Sequence, residues 1–195
     1  MFEVPLKDIR HHLGDESFYF EVSEDWASRH ENHRRSIRHH LFNHLSDLGW
    51  SPSRGVLEPG SERLASDPPL SLSHCPAAGG FAYLSPESNT HVGFDVEDPD
   101  RVTVEVVARI SRDEEVQMAP DPASLWVAKE ATYKALPKEI QPLVIGQIEI
   151  HNWLTLGHNF YTFTGGVFGS QHFRNAQGLV LGSGGLKMGF FLFPA

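Results

Sequence analysis

His91-Val-Gly-Phe-Asp-Val-Glu97 and, downstream, Ser124-Leu-Trp-Val-Ala-Lys-Glu-Ala-Thr-Tyr-Lys134 decide how this chain reads. In the first stretch apolar and acidic residues alternate. Side chains repeat every two residues along a strand, so Val92, Phe94 and Val96 point one way and Asp95 and Glu97 share the opposite face. The second stretch predicts a helix. Leu125, Ala128, Thr132 and Ala135 fall on one side at helical spacing, and Trp126, Glu130 and Lys134 stack on an adjacent side. An acidic strand face set against a Glu/Lys helix face is a cradle for a hard cation. Such a cation takes oxygen ligands and shares them with a substrate phosphate.

Each element alone has a plainer reading. An Asp-x-Glu strand is commonly a solvated outer face. A Glu130/Lys134 pair one turn apart stabilises any exposed helix by ~0.3–0.5 kcal/mol. Lys129 reads alone as a solvated lysine, and Trp126 as core packing. Two like charges on one strand face repel, which favours a counter-ion between them.

Three motifs in order are more specific than any one. Leu70-Ser-Leu-Ser-His74, then Gly93-Phe-Asp-Val-Glu97, then Trp126-Val-Ala-Lys-Glu-Ala-Thr-Tyr-Lys134 resemble the signature of the 4'-phosphopantetheinyl transferase superfamily. The resemblance is to its surfactin-synthetase-type branch, related to holo-acyl-carrier-protein synthases, and covers residues 60 to 140. It implies an α+β fold built as a pseudo-twofold pair of similar α+β halves, with the active site in the cleft between them. The junction is expected near residue 90, giving an N-terminal half 1–90 and a C-terminal half 91–195. It implies Mg²⁺-dependent transfer of 4'-phosphopantetheine from coenzyme A to a serine of an acyl or peptidyl carrier protein, with release of 3',5'-ADP.

The resemblance also implies roles. Asp95, Glu97 and Glu130 would hold the metal, and Glu130 would double as the base for the incoming serine. Lys134 would hold the pyrophosphate and offset charge on the leaving phosphate, with Lys129 as a further phosphate contact. Ser73 and His74 would contact the coenzyme phosphates. Arg35 and Ser36 would meet the adenosine 3'-phosphate. Arg63 stands near a further loop of the family, but Gly60-Ser-Glu-Arg63 departs from it. Other departures are Leu70 and Ser71, Cys75, Asp98-Pro99, Pro137-Lys138 and the Gly-rich C-terminal region. They keep open a non-catalytic relative that binds coenzyme A or a protein partner only. An unrelated metal-dependent phosphohydrolase is the third reading.

Composition bounds the rest. The 195 residues are 40% hydrophobic, enough for one large domain or two small packed ones. No apolar run reaches membrane-span length, and the N-terminus lacks a basic region followed by an apolar run. The single cysteine, Cys75, excludes an internal disulfide and fits a reducing cytoplasm. A net charge of -9 argues against a general nucleic-acid binder. Yet Arg29, Arg34, Arg35 and Arg38 crowd one segment with five of the twelve histidines, a basic patch in an acidic protein. With both halves in one chain, a monomer is expected.

The remaining pattern is α+β. Ser17 to Val22 predicts a strand. Residues 32 to 48 predict a helix with a stripe of Ile37, Leu41, Leu45 and Leu48, stopped by Gly49. Residues 51 to 69 read as loop, and 80 to 96 as a β-hairpin turning at Pro86 to Thr90. Ser111-Arg-Asp-Glu114 reads as a capping box. After Pro137 the chain turns β-rich, with Gly165-Gly166 and Gly182 to Gly185 as punctuation.

Overall fold

The computed structural model describes residues 6–58, 61, 64–169 and 176–194. Arg63 lies outside the described residues. The fold is mixed α+β with two antiparallel sheets. The small sheet has the order β1-β3-β2, from Tyr19–Ser23, Gly79–Tyr83 and Leu70–His74. The large one has the order β4-β8-β7-β6-β5, from Thr90–Glu97, Leu186–Pro194, Gln177–Ser183, Phe160–Val167 and Ile148–Gly157. The helices are α1 (Leu6–Leu13), α2 (His33–Asp47), α3 (Arg54–Leu57), α4 (Val104–Ala108), α5 (Asp113–Met118) and α6 (Pro122–Ala135). None is long and apolar enough to cross a membrane.

The chain passes from the small sheet to the large one between Tyr83 and Thr90. The expected hairpin over residues 80 to 96 does not form. β3 is the central strand of its sheet, with β1 on one edge and β2 on the other, so no edge is left for β4. β4 pairs with β8 instead, Asp95 opposite Gly189 and Glu97 opposite Lys187. A tight hairpin does join β7 to β8. Ser183 pairs with Leu186 around Gly184 and Gly185, whose φ of +61° and +75° only glycine adopts cheaply.

Helix α2 covers the small sheet. Ile37, Leu41 and Leu45 bury against Trp26, Phe81 and Tyr83. Leu48, expected in this stripe, is half exposed, because the helix ends at Asp47 and Gly49 turns the chain with φ +83°. Val92, Phe94 and Val96 join Phe18, Phe20, Ala82 and Phe190 in a core that ties the two sheets together. Each aromatic side chain buried there contributes ~1.5–3 kcal/mol. The core therefore continues across residue 90.

β2 lies along β4 without a backbone ladder. Ser71 replaces one: its Oγ accepts the Phe94 N–H at 3.0 Å. This supplies a partner for a buried backbone donor on the edge of β4 that has no ladder neighbour.

Helix α6 begins at Asp121, whose carboxylate accepts the Ser124 N–H at 2.8 Å. It lies unusually close to β4 and β8. A Cβ at Gly93 would come within 1.8 Å of the Ala131 carbonyl oxygen, and one at Gly189 within 2.3 Å of that of Val127. Gly165, expected in a turn, sits inside β6 for a similar reason: a Cβ there would reach 2.8 Å from Thr132 Oγ1. Gly93→Ala should therefore destabilise by about 3 kcal/mol, the upper end for overpacking, and lower Tm by roughly 6–12 °C. Gly157→Ala is the control, since nothing lies within 4 Å of its added Cβ. It should stay within ~0.5 kcal/mol of wild type. Equal effects at the two positions in thermal unfolding would remove the close approach as the reason.

Candidate functional site

Gly93, Asp95 and Glu97 share one face of β4, and α6 covers that face. The acidic pair is therefore not the solvated outer side of a strand. Asp95 is only 4% exposed and Glu97 is half-buried. The close approach at Gly93 brings the last turns of α6 over Asp95. Lys134 Nζ donates to Asp95 Oδ1 at 2.6 Å and to Ser73 Oγ at 3.1 Å. Ser73, on β2, donates its own proton to the same Asp95 oxygen at 2.6 Å. Glu130 Oε2 lies 4.0 Å from Lys134 Nζ, one helical turn back. Residues from β2, β4 and α6 thus meet at one point.

The electrostatics reflect crowding. Burial holds the Glu130 carboxyl above the usual glutamate range. Lys134 opposes this, and the charges of Asp95 and Glu97 reinforce it. Burial likewise raises Glu97, against the hydrogen bond it accepts from the Asp98 N–H at 2.9 Å, and Asp95 adds to the rise. Arg101 gives Glu97 a partial counter-charge at 3.7 Å. Two half-buried carboxylates, each raised by burial with the Asp95 charge adding to the rise, are stabilised by an added cation.

The donor set fits a hard divalent cation, which takes carboxylate oxygens. The structural mark of the fit is Asp95 Oδ2, buried with no hydrogen-bond partner. Asp95, Glu97 and Glu130 would be the ligands. They are not closed into a ligand cluster: among the described residues no three or more His, Cys, Asp or Glu side chains stand ready to hold a metal. Lys134 supplies the positive charge at Asp95.

Lys129 does not join this site. Its side chain is fully buried on another face of α6, where Nζ pairs with Glu115 Oε1 at 2.7 Å and donates to the Ile148 carbonyl. Burial lowers its pKa, and Glu115 opposes the drop. The expectation of a phosphate contact from Lys129 is corrected: the helical turn points it into the core. Glu115 also corrects the capping box, which is one residue later than Ser111-x-x-Glu114. Glu115 Oε2 accepts the Arg112 N–H and Oε1 accepts that of Ile150, each at 2.9 Å. Because Glu115 keeps these partners, Lys129→Met should cost about 1–3 kcal/mol, read by urea unfolding. Wild-type stability in Lys129→Met would show that the buried pair with Glu115 contributes nothing to the fold.

A basic groove of about 490 Å³ runs along α2, lined by His33, Arg34, Arg35, Arg38 and His39 and closed by Leu57 and Glu58. Arg34 and Arg38 also line a second cavity of about 240 Å³ that reaches Leu72 and His74. Arg35 is thus in the groove, but Arg34 is the residue brought to His74: its Nε donates to His74 Nε2 at 2.8 Å. Accepting that bond requires a neutral ring, with its proton on Nδ1. Burial, then His33, Arg34 and Lys134, lower the His74 pKa in the same sense. Ser36 is exposed, and its hydroxyl donates to the Asn32 carbonyl at 3.3 Å. Cys75 is buried, and burial raises its thiol, consistent with packing.

Two contacts lay beyond what the sequence patterns show. Arg34 lies one position before the Arg35-Ser36 motif, and helical phase alone separates the two. Ser73 was assigned to phosphate, whereas its hydroxyl bridges Asp95 and Lys134. Compared with known protein families and with curated proteins, the chain matches neither a family nor a curated protein.

Proposed function

We propose that this chain is a 4'-phosphopantetheinyl transferase acting on coenzyme A and the serine of an apo carrier protein. The observation that carries the reading is the meeting of three separate motifs. Ser73 from β2, Asp95 from β4, and Glu130 and Lys134 from α6 lie together, and His74 connects them to a basic groove. In this reading the two sheets belong to pseudo-twofold halves, 1–90 and 91–195, and the seam between β2 and β4 is the active-site cleft.

The chemistry is a displacement at the β-phosphorus of coenzyme A. The serine oxygen forms the new P–O bond, the pyrophosphate P–O bond breaks, and 3',5'-ADP leaves. Glu130 takes the serine proton; its raised pKa brings it closer to the working pH, where a general base is most effective. Lys134 offsets the charge on the leaving phosphate. The groove arginines hold the adenosine phosphate end. Mg²⁺, held by Asp95, Glu97 and Glu130, would supply charge neutralisation at the pyrophosphate. The reading places the protein in the cytoplasm as a monomer.

One observation favours the second reading, a non-catalytic relative that binds coenzyme A or a partner. Lys134 already neutralises Asp95 at 2.6 Å, a stable arrangement without a cation. Mass spectrometry separates the two. An apo carrier protein incubated with this chain, coenzyme A and Mg²⁺ should gain one phosphopantetheine group. Coenzyme A binding without that gain, across fatty-acid, polyketide and nonribosomal-peptide carriers, would select the non-catalytic reading. Breakdown of coenzyme A without a carrier would select a hydrolase.

A further inference from the structure

Asp95 presents its two carboxylate oxygens to very different surroundings. Oδ1 accepts from both Ser73 Oγ and Lys134 Nζ, each at 2.6 Å. Oδ2 is buried and accepts from nothing. A carboxylate oxygen removed from water without a partner is costly, by ~1–3 kcal/mol or more for a charged group. That cost is avoided if Oδ2 is the oxygen that meets a cation.

Ser73 is 7% exposed, and its hydroxyl is fully engaged. A hydroxyl has one proton to donate. Ser73 donates it to Asp95, and its oxygen accepts from Lys134 at 3.1 Å. No donor remains for a phosphate. Ser73 therefore acts on the carboxylate and not on a bound anion.

We propose that Ser73 is a positioning residue of the cation site: with Lys134 it occupies Asp95 Oδ1, so that the carboxylate offers a divalent ion Oδ2 alone. The inference rests on the metal reading of Asp95, Glu97 and Glu130. It follows the general pattern in which hydrogen bonds to a ligating carboxylate fix its orientation. It also bears on which ion fits. One-oxygen donation suits a small octahedral ion such as Mg²⁺, whereas Ca²⁺ accepts two-oxygen donation and more ligands.

The test uses Mn²⁺ as the probe, with bound ion measured by electron paramagnetic resonance in the presence of coenzyme A. Thermal unfolding is recorded for every variant. Ser73→Ala should lower Mn²⁺ affinity ~10–100-fold. It should also narrow the preference for Mg²⁺ over Ca²⁺ in displacing Mn²⁺. Coenzyme A affinity in the presence of a chelator should not change. Ser73→Thr keeps the donor and should restore Mn²⁺ binding. Wild-type Mn²⁺ affinity in Ser73→Ala overturns the positioning role, while the metal reading survives. Weakened coenzyme binding under chelator, with Mn²⁺ affinity intact, overturns it in favour of a phosphate contact. A wild-type protein that binds no Mn²⁺ overturns the metal reading and this inference together.

Discussion

In the proposed reaction, Asp95→Asn should lower phosphopantetheine transfer on the order of 10³-fold, the rate equivalent of several kcal/mol of charge stabilisation supplied at a metal site. Asparagine keeps the shape and the Oδ1 acceptor used by Ser73 and Lys134. It removes the charge, and it puts an NH₂ where the partnerless oxygen stands. Taken as a surface carboxylate, Asp95 would be dispensable for folding. Its 4% exposure and its contact with Lys134 correct that expectation. Some stability should be lost, about 1–3 kcal/mol for a hydrogen bond to a charged group. Transfer assays at limiting Mg²⁺, corrected for folded fraction, separate the two effects. Near-wild-type transfer by Asp95→Asn would remove Asp95 from the metal site.

Alternation and helical spacing made β4 and α6 legible, because each buries a continuous apolar side: Val92, Phe94 and Val96 on one, Leu125, Ala128 and Ala135 on the other. What periodicity does not encode is which partner covers a face. Residues 80 to 96 look like a hairpin locally, but β3 already has two neighbours, a fact set by Tyr19–Ser23 and Leu70–His74 far away in sequence. Gly165 reads as a turn because glycine favours turns; its actual constraint is Thr132 on a helix thirty-odd positions earlier. The same limit applies to the site. The acidic face of β4 was visible in the sequence, and so was the Glu/Lys side of α6. That Lys129 turns inward required knowing that Glu115 waits there. That Ser73 serves Asp95 required knowing that β2 runs beside β4 without a backbone ladder.

Glu130→Gln should separate stability from catalysis. Burial raises the Glu130 pKa, with Asp95 and Glu97 adding to the rise and Lys134 opposing it. A carboxyl raised in the folded state contributes stability below the ordinary glutamate range, and that contribution is lost as pH rises through the folded value. At neutral pH the ionised group therefore destabilises the fold. Glutamine removes that charge with almost no change of shape. Thermal unfolding of Glu130→Gln should show a Tm at or above wild type at neutral pH, with the advantage disappearing under acid. Transfer should fall ~10²–10⁴-fold if proton removal is the main role of Glu130. The acid limb that a raised carboxyl imposes on the rate should vanish with it. Joint loss of Mn²⁺ binding and turnover would make ligation its main work instead, and the proton would then need another acceptor. Unchanged transfer, with the Tm rise still present, would leave the raised carboxyl a consequence of crowding alone. Glu130 would then be no part of the proposed catalytic machinery, and Asp95, Glu97 and Lys134 would have to support transfer without it.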